Sequence, residues 1–408
     1  MDGTSAPGAR TFLLGAGVFD GTSDGLRARE GLLIEGDRVV AVCRSDAAGE
    51  AVTRIDLGQA VIVPGFVDAH THVTIRPGEG DQHGQMVKPA VWQTIRGVEN
   101  LRRMLASGVT TARIMTEAHD IDFEFRDAIA RGEIAGPRLL VAGPGLSPPG
   151  GHGSAAGGGV AGVGPLREAV RARVERGADH IKIFTTGGVS STNTSLSESN
   201  YSGEEIAAIV GEAAQAGLHV SAHAHGGAGV DLAVDNGIRS IEHGALLDEN
   251  NLRRMVDSQT WLTLTLTILF HPEGIERGDA AVPQIMQKVK EARAYVSGNA
   301  ARIRAAGIPL ALGTDSMHGL FGYEMQWMVE HGWSAQQALT AATSGGAGLI
   351  DQPDVGRLAA GARADFVVLG SDPFADITAV YDVTAVHRAG QEAVTTDGTA
   401  RTVATTAQ

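Results

Sequence analysis

Between Val61 and Asp315 the chain carries eight short apolar or β-branched runs, with stretches of helical patterning between most of them. The first run, Val61-Ile62-Val63-Pro64-Gly65-Phe66-Val67, reads as one fully buried strand; the last is Ile308 to Asp315. The other six cover 108–114, 137–142, 180–184, 219–223, 240–243 and 261–267. Strand, helix, strand in that order is the grammar of parallel pairing through crossover helices. Eight such units predict an α/β fold, a (β/α)8 TIM barrel, which takes roughly 250 residues.

The flanks read differently. Roughly from Thr11 to Ile62, short strand-like runs alternate with Gly-Asp turns, as where Glu35-Gly36-Asp37 joins 31–34 to 39–42 in a hairpin. Beyond the barrel, 364–369 and 379–387 return to strand patterning. The two flanks are expected to pair into one small β-sandwich domain, residues 1–62 plus 355–408, leaving 63–354 for the barrel. The Thr- and Ala-rich tail from Thr395 is expected to be unstructured.

A net charge of −14 argues against binding nucleic acid or an anionic membrane surface. Cys43 is the sole cysteine, which excludes an intrachain disulfide and suits a reducing compartment. No apolar stretch approaches bilayer length, and no extended apolar segment follows a basic one near the start, so no signal peptide is expected. The expectation is a cytoplasmic enzyme with a small-molecule substrate, no nucleic-acid or membrane partner, and self-association into a homo-oligomer.

Candidate ligands sit where a barrel would use them. His70 and His72, two apart on a strand, share a face, though a lone His-x-His decides nothing. In a (β/α)8 barrel the active site lies at the C-terminal strand ends. His70 and His72 end the first strand, Lys182 lies on the fourth, His223 ends the fifth, His243 the sixth and Asp315 the eighth. Singly they read as core histidines, a snorkelling lysine and a helix cap; from five strands at one mouth they read as metal ligands. Lys182, between Ile181 and Ile183, points into the lumen. A desolvated lysine near cations loses its proton, and the neutral amine can take up carbon dioxide as a two-oxygened carbamate suited to bridging two ions.

This pattern resembles the amidohydrolase superfamily of metal-dependent hydrolases, carried by 17–21 (Gly-Val-Phe-Asp-Gly), 64–72 (Pro-Gly-Phe-Val-Asp-Ala-His-Thr-His) and 361–369. The resemblance implies His70 and His72 on one metal, Lys182 as the carboxylated bridge, His223 and His243 on the other metal, and Asp315 as ligand and proton shuttle. It implies two divalent ions, zinc with manganese or iron as alternatives, and N6-carboxylysine at Lys182. Gly150-Gly151-His152-Gly153, Ile181-Lys182-Ile183 with Gly187-Gly188, Ala222-His223-Ala224-His225-Gly226 and Gly313-Thr314-Asp315-Ser316 are similar to the imidazolonepropionase-like branch. That branch includes Xaa-Pro and Xaa-Arg dipeptidases and ochratoxin-type amide hydrolases. One position departs: Ile114 follows Arg113 where relatives commonly carry Asp.

Around the metals, His225 lies two beyond His223 on the same strand face, where it would contact or polarise the scissile carbonyl. With Asp315 it completes the catalytic assignment. His152 in its glycine-rich loop, Tyr201 as donor to a carboxylate, and His318 at the mouth are the further candidate substrate contacts. His119, His180, His219, His271, His331 and His387 read as structural or solvated. The expected activity is hydrolysis of a peptide-like amide, in a dipeptide or an N-acyl amino acid, by a metal-bridged hydroxide with Asp315 shuttling the proton. The competing readings are a cyclic-amide or heterocycle hydrolase or deaminase, a carbamate or ester hydrolase, and, least favoured with all six ligand positions filled, a metal-free structural homologue.

Overall fold

The computed structural model describes residues 9–395 and 398–403. Eight strands form its centre: β1 (Phe66–Thr71), β2 (Val109–Ile114), β3 (Arg138–Leu140), β4 (Ile181–Phe184), β5 (Val220–Gly226), β6 (Ser240–Leu246), β7 (Trp261–Leu264) and β8 (Leu310–Leu312). Each is followed by a helix, among them Ala90–Ala106 after β1 and Pro283–Ala306 after β7. Pairing is parallel throughout, in a three-stranded sheet ordered β3-β2-β1 and a five-stranded sheet ordered β4-β5-β6-β7-β8. The chain is thus a mixed α/β protein. Hydrogen bonds cross between the sheets on both sides. Leu146 accepts from Phe184 and donates to Lys182 O at one edge, and Asp315 N donates to His70 O at 2.9 Å at the other. Gly313 permits that second approach, since a Cβ there would lie 2.5 Å from the His70 Cβ.

The leading apolar run is two strands, not one. Val61–Pro64 pairs antiparallel with Phe366–Leu369 and parallel with Gly17–Val18, and only after Gly65 does β1 begin. Uniform burial hides such a break in the sequence. Gly65 makes it possible, because a Cβ there would collide with the Thr110 side chain. The strand joins a six-stranded sheet built from both ends of the chain, while Arg10–Leu14, Glu30–Glu35, Arg38–Arg44 and Thr53–Asp56 form a four-stranded one. Leu13, Leu32, Ile34, Ile62, Phe366 and Val368 pack together as a separate apolar cluster there.

Smaller differences follow from chain ends and turns. Ser202 caps Gly203–Gln215 in a reciprocal capping box with Glu205. The expected seventh strand stops at Leu264, where Thr267–Phe270 turns helical with its first amides bound by Glu324. The tail does not become irregular at Thr395. Thr395 N donates to Thr399 O, Arg401 N to Ala393 O, and the buried Arg388 guanidinium binds Val403 O at 2.7 Å. Of the tail expectation, 396–397 and 404–408 lie outside the described residues. Among those described, no helix is long and apolar enough to cross a membrane.

Gly313→Ala is expected to cost about 1–3 kcal/mol through overpacking against His70. Gly164→Ala, in open space on a helix, should be neutral or slightly stabilising. Urea unfolding of the two variants compares them directly.

Candidate metal centre

The ends of β1, β5, β6 and the turn after β8 carry a dense group of imidazoles around one carboxylate. Ligand atoms of His70, His243 and Asp315 all lie within 4.8 Å of one another. His70 Nε2 and His72 Nε2 are 3.5 and 3.4 Å from Asp315 Oδ1. Two ligands about 2.1 Å from one tetrahedral ion sit roughly 3.4 Å apart, so this spacing suits a shared cation better than a hydrogen bond. The other ring nitrogens are already fixed. His70 Nδ1 is 2.8 Å from Glu242, His72 Nδ1 is 3.0 Å from Thr116 O, and His243 Nδ1 is 2.7 Å from Thr265 Oγ1. Such partners set ring orientation and, for His70 and His72, turn the remaining nitrogen toward Asp315, whereas His243 has Nδ1 itself 3.8 Å from Asp315 Oδ2. Inward, His70 Nε2, Lys182 Nζ and both nitrogens of His225 are buried with no hydrogen-bond partner. Unpartnered nitrogens of this kind fit a metal, through their lone pairs, or a substrate.

His223 lies beside them, its ring 4.5 Å from that of His243, with Nε2 bonded to Gly187 O at 3.1 Å. Only its Nδ1 is therefore free for a ligand in this rotamer. Lys182, 1% exposed, lines the same pocket, and burial lowers its pKa to about 7 despite the opposing field of Glu242. Burial raises the Asp315 carboxyl, but His70 and His72 outweigh it and hold the group well below the usual range. His225 is pushed down to about 4, chiefly by burial.

Of the proposed substrate contacts, His225 and His152 line this pocket, with His152 Nδ1 2.7 Å from Ser191 Oγ. Tyr201 does not. It is 2% exposed and its hydroxyl donates to Val160 O at 2.7 Å, so it closes a loop instead of meeting substrate. His318 does not either. Asp315 and Ser316 both adopt left-handed backbone, φ 46° and 74°, which turns the chain so that His318 binds His72 O and lines a separate cleft with Arg76 and Arg277. None of the histidines read as structural or solvated lines the pocket.

Two features escaped the sequence reading. Glu242 is fully buried and links His70 to the Arg113 guanidinium at 2.7 Å, while Arg113 also holds Ala69 O. Burial raises Glu242, yet Arg113 and His70 bring it well below its ordinary value. A glutamate inside an apolar strand was the available signal, but alternation assigns it the face opposite His243. His243 at φ 75° breaks that alternation. The second is His83, on the short helix Gln82–Met86 that follows β1, which lines the pocket and shares Ser191 Oγ with His152.

A parallel α/β scaffold with inward imidazoles at its strand ends and a buried lysine defines a hydrolase of the amide-cleaving kind when set beside known proteins. The amidohydrolase family matches residues 61–406, and the chain belongs to that family. It is 28% identical to ochratoxinase of Aspergillus niger over 93% of this chain and 85% of that protein. It is 26% identical to an imidazolonepropionase of Streptomyces griseus, over 92% and 95%. In structure it is similar to a Xaa-Pro dipeptidase with methionine bound in the active site, with a TM-score of 0.85 and 26% identity over 94% of this chain and 99% of that one.

Tyr201→Phe is expected to lose about 1 kcal/mol of stability, one buried hydrogen bond, with kcat and KM unchanged. A raised KM in that variant would return Tyr201 to the substrate site.

Proposed function

We propose that this chain is a metal-dependent hydrolase that cleaves a peptide-like amide bond, within a closed (β/α)8 barrel that starts at β1 after Gly65 and is joined to a small β domain from the two ends. The hydrogen bonds at both edges of the parallel sheets support the closure. The observation that carries the activity is the set of buried, unpartnered nitrogens of His70, Lys182 and His225 around Asp315. His70, His72, His223, His243, Asp315 and a carboxylated Lys182 would hold two divalent ions, with zinc favoured and manganese or iron compatible. Ions so held supply a Lewis acid and acidify water at neutral pH.

The residues do the rest. Lys182, its pKa lowered to about 7 by burial, spends a substantial fraction of its time near neutral pH as the free amine, whose electron pair can add to carbon dioxide, releasing one proton as the carbamate forms. Asp315 takes a proton from the attacking water and returns it to the departing amine, so the carboxylate is regenerated each turn. His225 donates a hydrogen bond to the scissile carbonyl as negative charge develops there. Likeness to ochratoxinase and to a Xaa-Pro dipeptidase supports amide cleavage, with dipeptides and N-acyl amino acids as the parent substrate class. Likeness to imidazolonepropionase supports a second reading, ring opening of a cyclic amide, which the same residues would serve.

Asp315→Asn should lower kcat by about 10²–10⁴-fold, because the amide keeps a ligating oxygen but shuttles no proton. Lys182→Ala should lose both activity and metal, and short carboxylic acids should restore part of each by filling the vacated bridging position. Lys182→Arg stays charged and should not respond. An active, metal-loaded Lys182→Arg enzyme would remove the carbamate from the account.

A further inference from the structure

Three chain segments each face two cavities at once. Ile75, Ile275 and Asp315 line the metal pocket, while Arg76, Arg277 and Ser316 beside them line a second cleft on the far side. The wall between the two is a single layer of backbone. The cleft holds about 390 Å³, and none of the candidate metal ligands lines it. Ser316 is 2% exposed, and its hydroxyl oxygen is buried with no hydrogen-bond partner. Its backbone is already committed, Ser316 N donating to Thr71 Oγ1 at 3.3 Å. A buried hydroxyl left unpaired on the wall of a cavity points to a ligand.

Charge decides which ligand fits. Five charged side chains line the cleft: Arg76, Arg103, Arg277, Glu79 and Glu273. Glu273 is spent on Arg277, and Glu79 on Arg96 at 2.6 Å and Arg76 at 3.7 Å. Neither carboxylate is left to receive an ammonium group. On the cationic side, Arg76 is oriented through Nε, bonded at 2.8 Å to the fully buried Asn100. Arg103 bonds Glu99 through Nε, and neither of its terminal nitrogens makes a hydrogen bond. Burial, and then repulsion from Arg103 and Arg96, hold Arg76 below its ordinary pKa, so positive charge prevails around it. His318 is occupied with His72 O and adds no donor. The lining residues carry an excess of one positive charge, which suits a monoanion. Pro77, Met317 and Leu320 complete the lining. They give a bare inorganic ion nothing, and give a hydrocarbon group a surface that excludes water.

We propose that this cleft is a second binding site, separate from the metal centre, and that its ligand is an organic monocarboxylate. The carboxylate is held by Arg76, Arg103 and the Ser316 hydroxyl, with its hydrocarbon on Pro77, Met317 and Leu320. The site stands independently of the amide-hydrolase reading.

Titration calorimetry of the metal-replete enzyme tests it, with benzoate, benzamide and inorganic phosphate as probes. Benzoate is expected to bind saturably, with one equivalent that depends on Arg103. Arg103→Gln should weaken that equivalent at least tenfold with metal content unchanged, because it removes a charge-assisted pair. Ser316→Ala should weaken it several-fold without loss of thermal stability, since the hydroxyl it deletes is unpaired. Benzamide, the uncharged isostere, and phosphate, which has no hydrocarbon, should each bind there at least tenfold more weakly than benzoate. Benzoate bound by the metals alone would be indifferent to both substitutions, so unchanged affinity in Arg103→Gln and Ser316→Ala overturns the proposal. Absence of saturable benzoate binding overturns it as well, and so does phosphate binding more tightly than benzoate at the Arg103-dependent site.

Discussion

Lys182 is nearly devoid of solvent contact, and its ammonium nitrogen makes no hydrogen bond. An isolated buried cation is among the costliest groups a fold can hold, so the lysine sheds its proton toward neutrality. His70 and His225 carry the same burden in milder form, with inward nitrogens that no protein group satisfies. Nothing in the apolar shell of the strands relieves these groups. An occupant that takes several lone pairs at once relieves all of them, and the proposed metal pair is that occupant.

Holding unsatisfied groups in place requires a rigid surround, and carboxylates buried one layer out supply it. Glu242 ties His70 on β1 to Arg113 on β2 from its own position on β6. Asp68 accepts from Thr314 N and Thr314 Oγ1, fastening β1 to the turn that presents Asp315; burial raises its pKa to about 7 even so. Glu117 binds Val73 N and Thr74 N, fixing the exit from His72. Each anchor joins elements far apart in sequence, so the ligand geometry depends on tertiary pairing and not on any one loop.

How much of this the sequence disclosed follows from what strand alternation can express. His70, His72, Lys182, His243 and Asp315 were legible as candidates because they stand on or at the end of apolar runs. Glu242 was not, because one left-handed residue, His243, puts two successive side chains on the same side. The apolar run before His70 hid a change of sheet at Gly65, since both halves are fully buried. Tyr201, His318 and His83 depend on the paths of the connections between strands, which strand alternation does not describe. For that reason Tyr201 and His318 come to lie outside the pocket and His83 within it.

The central claim is that the inward imidazoles, Asp315 and Lys182 form one site for two ions. Elemental analysis of metal-reconstituted enzyme, desalted and titrated against activity, tests it most directly. The account predicts full activity at about two divalent ions per chain, because six ligands exceed what one tetrahedral ion takes. Full activity with one ion, or with none, would contradict it.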